Sequence, residues 1–149
     1  MNQKTEKPEI LIIEDEVDTR FYLMTLVRSL GFDPILAKDG VQGLDLLARS
    51  RPCLIILDIM MPNKGGSRVY EELVASPDSG HIPVLFFSGV DRQAFFHYLK
   101  MLNAGSETSL PEPRYYVAKN ADPDYLKSII TQAIQENQNP PVREKGDTI

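Results

Sequence analysis

Residues 53–66 read CLIILDIMMPNKGG, and the reading of this stretch decides the fold. Cys53 to Leu57 is an apolar run with no polar face, as expected of a strand covered on both sides. It stops at Asp58 and gives way to PNKGG, a segment of turn composition. Strands of this kind belong to parallel sheets packed between two layers of helices.

Outward from that run, four more strand candidates alternate with segments of helical period. They are Ile10 to Ile13, Pro34 to Ala37, Pro83 to Phe87 and Tyr115 to Ala118, with the second carrying the weakest signal. Leu23, Leu26, Val27 and Leu30 mark a first helix, and Gly31 stands where a left-handed terminal residue is wanted. Val41, Leu44 and Leu47 mark a second helix, Tyr70, Leu73 and Val74 a third, and Phe95, Leu99 and Leu102 a fourth. In the fifth, Asp122 caps, Pro123 suits the first turn, and Leu126, Ile129, Ile130 and Ala133 form the buried stripe. Right-handed crossovers in such a chain leave few topologies; a common one, and the one expected here, is the flavodoxin-like, doubly wound α/β fold with strand order 2-1-3-4-5.

The chain has 149 residues, enough for one domain with a sizeable core. We divide it into an N-terminal tail over 1–8, a domain over 9–136 and a polar tail over 137–149, where NQNPPVREKGDTI lacks apolar period. No output domain is expected. The formal charge is −5 and no basic block occurs, which argues against nucleic acid as a partner. No stretch has the make-up of a secretory signal or a membrane span, so a cytoplasmic protein without membrane contact is expected. Cys53, the lone cysteine, reads as a buried thiol. His81 and His97 lack ligand-spaced companions and read as surface residues.

In doubly wound sheets the site lies beyond the carboxyl ends of the strands. Those positions hold Glu14 and Asp15 after the first strand, Asp58 after the third, Ser88 after the fourth and Lys119 after the fifth. Taken singly, each has an ordinary explanation: acids suit a helix start, Asp introduces turns, Ser caps and Lys is solvated. Taken together they place three carboxylates, a hydroxyl and an ammonium on one sheet edge. Crowded carboxylates repel, and a divalent cation relieves the conflict. Mg²⁺ fits, because it takes oxygen ligands and is held by one or two carboxylates together with a phosphate oxygen. Asp15 and Asp58 would ligate directly, Glu14 through water, and the backbone carbonyl of Met60 would add an oxygen. Asp58 could then attack a phosphoryl group to give an acyl phosphate, with Lys119 and Ser88 receiving the phosphoryl oxygens.

IIEDE, LDIMMPNKGG, FFSG and YYVAK resemble, in this order, the signature segments of the response-regulator receiver family. The resemblance covers roughly residues 9–136. It implies that Glu14 and Asp15 are the acidic pair, Asp58 the phosphoacceptor, Ser88 the switch hydroxyl, Lys119 the family's lysine and Tyr116 the aromatic switch, with Tyr115 its rival by alternation. Pro62 and Gly66 match the loop after the phosphorylation site. The sequence departs from the family at Asn120, where a proline usually follows the lysine, and in a surplus over 105–113, GSETSLPEP.

The function implied is a Mg²⁺-dependent switch phosphorylated on Asp58 by a sensor histidine kinase or phosphotransfer protein. It would act on a downstream protein through the face formed by the fourth helix, fifth strand and fifth helix, with a second copy of the chain among the candidate partners. Such a protein is not an enzyme toward a separate substrate. One alternative is an interaction module of the same fold that needs no phosphorylation, motivated by Asn120 and the surplus. A flavin- or nucleotide-binding enzyme is disfavoured, since EDEVDTR after the first strand would repel a phosphate without a metal.

Overall fold

The computed structural model describes residues 6–61, 65–105 and 109–138. Ten elements alternate: β1 (Glu9–Ile13), α1 (Val17–Ser29), β2 (Asp33–Ala37), α2 (Gly40–Ala48), β3 (Leu54–Leu57), α3 (Gly66–Ala75), β4 (Val84–Ser88), α4 (Arg92–Ala104), β5 (Tyr115–Ala118) and α5 (Pro123–Gln138). The five strands form one parallel sheet in the order β2-β1-β3-β4-β5, the expected topology. The weakest strand signal, β2, is a full strand paired along its length with β1.

Alternation along each strand sends side chains to two cores. On one face Ile10, Ile12, Leu54, Ile56, Leu85 and Phe87 meet Leu23, Leu26 and Val27 of α1 and Leu126, Ile130 and Ala133 of α5. On the other, Leu11, Ile13, Ile55, Leu57 and Phe86 meet α3 and α4 through Val69, Tyr70, Leu73, Phe95 and Leu99, with α2 alongside. The inner strands are buried on both faces, β3 along its whole length, which is why β3 has no polar alternation.

Helix stripes differ from expectation where a marker residue sits on the margin of the apolar face. Val41 is 56% exposed, and α2 instead buries Gly40 and Gly43, with Leu44 and Leu47 half-buried. A side chain at Gly43 would meet Ile13 at 2.5 Å, so glycine is what lets α2 lie close on β1. Val74 and Leu102 are likewise exposed, and Val69 takes the buried place in α3. Gly31 has φ +91°, the left-handed end expected for α1. The last helix runs on to Gln138, past the boundary drawn at 136, and buries Ile134 as well. Ser88 is the final residue of β4, one position inside the strand. Cys53 is half-buried, and burial raises its thiol pKa.

The surplus folds back at its far end. Asn103 in the last turn of α4 donates through Nδ2 to the carbonyl of Leu110 at 2.9 Å and accepts the Leu110 N–H at 2.8 Å. Leu110 is buried against α3 and α4, and the Tyr70 hydroxyl donates to the carbonyl of Pro111 at 3.0 Å. This part of the segment is therefore fastened to both α4 and α3. Residues 106–108 lie outside the described residues, as does Pro62.

Candidate functional site

Strand register assembles the site. Ile13 pairs with Leu57 and Leu57 with Phe86, so Glu14 and Asp58 leave adjacent strands at the same level. Ser88 pairs with Ala118, which brings Lys119 to the same edge. Glu14, Asp15 and Asp58 each offer a carboxylate oxygen within 4.8 Å of the others. Lys119 Nζ lies 3.1 Å from Glu14 Oε1 and 3.3 Å from Asp58 Oδ2. The expected acids and lysine thus converge, and Ser88 stands buried at the end of the strand next to β3.

The loop after Asp58 is shaped to hold its carboxylate. The Met60 N–H donates to Asp58 Oδ1 at 3.4 Å, while the Met60 side chain is exposed. The Gly66 N–H donates to the Ile59 carbonyl at 2.9 Å. A Cβ on Gly66 would lie 2.1 Å from the Asp58 carbonyl oxygen, so only glycine allows α3 to start against the backbone that carries Asp58.

Two residues join the site without having been singled out. Glu16 Oε1 accepts from Lys119 Nζ at 2.8 Å, and the Glu16 N–H donates to Glu14 Oε1 at 3.1 Å. Arg20 Nη1 donates to the carbonyl of Glu14 at 2.9 Å and reaches that of Asp15 at 3.4 Å, fixing the backbone of the acidic pair from α1. Glu16 adjoins the pair in sequence and could have been read from the third acid of EDE. Arg20 carried no such signal, because its role depends on the side chain folding back along the helix.

Burial sets the electrostatics. Glu14 is 1% exposed and Asp58 3% exposed. Desolvation, then the Asp58 charge, pushes the Glu14 carboxyl up to about 7. Desolvation raises Asp58 as well, although Lys119 opposes it. Lys119 loses hydration too, but its carboxylate partners outweigh this and raise its pKa, so it stays an ammonium. Glu14 Oε2 and Asp15 Oδ1 are buried without a hydrogen-bond partner. Unsatisfied carboxylate oxygens facing a shared space are what a hard cation would complete, so the donor set fits Mg²⁺.

On the neighbouring strand Tyr116 is the half-buried aromatic, stacked with Phe86 and Phe95, and its hydroxyl donates to the Val90 carbonyl. Tyr115 points to the opposite core, where its hydroxyl bonds Glu136. This separates the two candidates in favour of Tyr116 as the ring beside Ser88, whose Oγ accepts the Val90 N–H at 3.2 Å. Among the described residues the peptide bonds are trans, including Lys119–Asn120. His81 and His97 are exposed, and no described helix is long and apolar enough to cross a membrane.

Known proteins share the sequence pattern and the fold. The response regulator receiver domain family matches residues 10–131. Protein Rrf1 of Nitratidesulfovibrio vulgaris is 27% identical over 84% of this chain and 81% of its own length. Response regulator MprA of Mycobacterium sp. strain KMS is 34% identical over 70% of this chain, which matches only 44% of that longer protein. Among solved structures, the signal receiver domain of an HD domain-containing protein from Pseudomonas fluorescens Pf-5 superposes with a TM-score of 0.74 at 22% identity, covering 89% of this chain and 98% of that one. The receiver domain of a sensor histidine kinase from Pseudomonas aeruginosa, with a magnesium ion in its active-site cleft, gives 0.71 at 22% identity over 87% and 98%. With a family match across most of its length and the five-stranded fold to go with it, the chain belongs to the response regulator receiver domains of two-component signalling.

Proposed function

We propose that this receiver domain is a Mg²⁺-dependent switch that takes a phosphoryl group onto Asp58 from a histidine kinase or phosphotransfer protein. The observation that carries the reading is the pair of orphaned buried oxygens, Glu14 Oε2 and Asp15 Oδ1, beside a buried Asp58 that Lys119 also reaches. Asp15 and Asp58 are the direct ligands in this reading, with Glu14 acting through water and the Met60 carbonyl as a further oxygen. The bound cation supplies positive charge to the carboxylates and to the phosphoryl oxygens.

The chain's own residues do the rest. An Asp58 oxygen forms the new bond to phosphorus as the donor's phosphorus–nitrogen bond breaks, its electron pair returning to the donor imidazole. Lys119 pairs with one phosphoryl oxygen. Ser88, whose oxygen accepts the Val90 N–H, turns its own proton to another. Hydrolysis returns the carboxylate and inorganic phosphate, so the protein acts on no substrate other than itself. The output is a change of the α4–β5–α5 surface, read by a partner protein.

Intact mass after incubation with Mg²⁺ and a small phosphodonor tests this. One phosphoryl adduct is expected on the wild type and none on Asp58→Asn, whose amide is nearly isosteric but not nucleophilic. Chelation should abolish the adduct. Equal labelling of Asp58→Asn, or labelling that ignores chelation, would overturn the assignment. No adduct on the wild type would favour the phosphorylation-independent interaction module.

A further inference from the structure

We propose that Glu16 is a positioning residue that holds the Lys119 ammonium while Asp58 is unmodified and yields it when a phosphoryl group arrives. The inference rests on the reading of Asp58 as phosphoacceptor.

Glu16 occupies the N-cap position of α1, with extended backbone at φ −76° and ψ 123°. A short polar side chain there, Ser, Thr, Asp or Asn, accepts from a backbone N–H of the first helical turn. That of Glu16 makes no such bond. It turns to Lys119 instead, at 2.8 Å, shorter than the contacts of Lys119 with Glu14 at 3.1 Å and Asp58 at 3.3 Å.

An ammonium has three protons to donate. Lys119 has three carboxylate partners, so an incoming phosphoryl oxygen, arriving while Asp58 is still a carboxylate, can be served only if one partner lets go. The carboxylates differ in what release costs them. Glu14 and Asp58 have side chains only 1% and 3% exposed, so release by either gives up a contact made inside the protein, where water does not replace it. The Glu16 side chain is 61% exposed and falls back into water. A pair so exposed is worth little and is quickly exchanged. Glu16 is therefore the partner to be displaced, acting as an internal stand-in for the incoming anion. Glu14 keeps Lys119 aimed at Asp58 after Glu16 leaves.

Competition for one ammonium is reciprocal: as a phosphoryl group weakens the Glu16 contact, so loss of that contact strengthens phosphoryl binding. Glu16→Gln removes the charge at an exposed position, so the fold is expected to persist. With Mg²⁺ present, the affinity of the full chain for beryllofluoride should rise roughly two- to fivefold, the scale of an exposed pair. The phosphodonor concentration for half-maximal labelling should fall by a similar factor, with the maximal rate little changed. Glu16→Asp keeps the charge but is one methylene too short for the contact, and should follow Glu16→Gln. If Glu16→Asp matches the wild type while Glu16→Gln does not, charge at the mouth and not the hold on Lys119 is responsible, and the inference fails. It fails too if Glu16→Gln binds beryllofluoride no more tightly than a wild type that binds it. If the wild type neither binds beryllofluoride nor takes up phosphate, the phosphoacceptor reading itself fails and this inference with it.

Discussion

The Tyr116 hydroxyl donates to the carbonyl of Val90, while the N–H of Val90 donates to Ser88 Oγ, so Tyr116 and Ser88 grip opposite sides of one residue. That shared residue gives the proposed signal a route. A phosphoryl oxygen drawing on the Ser88 hydroxyl disturbs the Val90 N–H, and the Val90 carbonyl is what holds the Tyr116 ring among Phe86, Phe95 and Phe96. A switch of this type biases an equilibrium between two arrangements of the turn and ring.

Tyr116→Phe keeps the ring stacking and deletes one hydrogen bond, which should cost about 1 kcal/mol of stability. Amide exchange of residues 89–91 should quicken, and a beryllofluoride complex should alter exchange mainly between Ser88 and Lys119 in the wild type. Protection changes concentrated in α1 and α2, with that segment silent, would show that the signal travels elsewhere.

The acidic pocket makes the metal-free protein sensitive to pH. The folded state holds the Glu14 proton up to about 7, against a usual 4.5, so between these values it binds more protons than the unfolded chain. Stability therefore falls as pH rises through that window, by on the order of 3 kcal/mol from Glu14 alone. Asp58, also raised, acts in the same direction. Denaturant midpoints measured with chelator should decline from pH 5 to pH 8, and Mg²⁺ should flatten the slope. Asp58→Asn should be more stable than the wild type at pH 8 without metal, since it removes a buried charge that opposes Glu14. A flat wild-type profile in chelator would contradict this electrostatic account.

Asn103→Ala should unfasten the end of the surplus segment. It leaves the Leu110 N–H and carbonyl without the partners seen at 2.8 and 2.9 Å, a loss of about 2–3 kcal/mol for two partly buried groups. Urea denaturation measures the loss. Beryllofluoride affinity should be unchanged, because this clamp lies at the C-terminal end of α4, away from the turn after Ser88. A large drop in affinity with little loss of stability would reverse that assignment.

Much of this was legible in the sequence because the controlling signals are local or obey one topological rule. The run at Leu54 to Leu57 needs a double-sided sheet, and that sheet places Glu14, Asp15, Asp58, Ser88 and Lys119 together. What escaped depends on side chains choosing between competing partners. Glu16, at the start of α1, reaches across to Lys119, and Arg20 reaches back to two carbonyls five and six residues earlier. Neither choice has a periodicity. Val41 misled because apolar character alone does not tell a helix margin from its centre, whereas Gly43, with no side chain to count, makes the close contact with Ile13.

The lifetime of the acyl phosphate should be long, and the side chains beside the site say why. Hydrolysis requires a water held in line with the phosphorus, and a hydrogen-bonding side chain at the rim of the site is what holds it. Met60 and Val90 are the residues that stand two positions beyond Asp58 and Ser88, and neither side chain can orient a water by a useful hydrogen bond. Met60 is 68% exposed, free to accept a substitute, and the bond from Met60 to Asp58 Oδ1 runs through its backbone N–H. Both ties at Val90 likewise run through backbone atoms. Replacing Met60 by Asn and Val90 by Glu therefore adds water-binding groups while leaving the Asp58 and Tyr116 contacts in place. The double variant should lose its phosphoryl group at least about tenfold faster, read as decay of the phosphorylated mass after removal of donor. Decay that is unchanged or slower in the double variant would mean that neither position limits access of water, and that the lifetime is set deeper in the site.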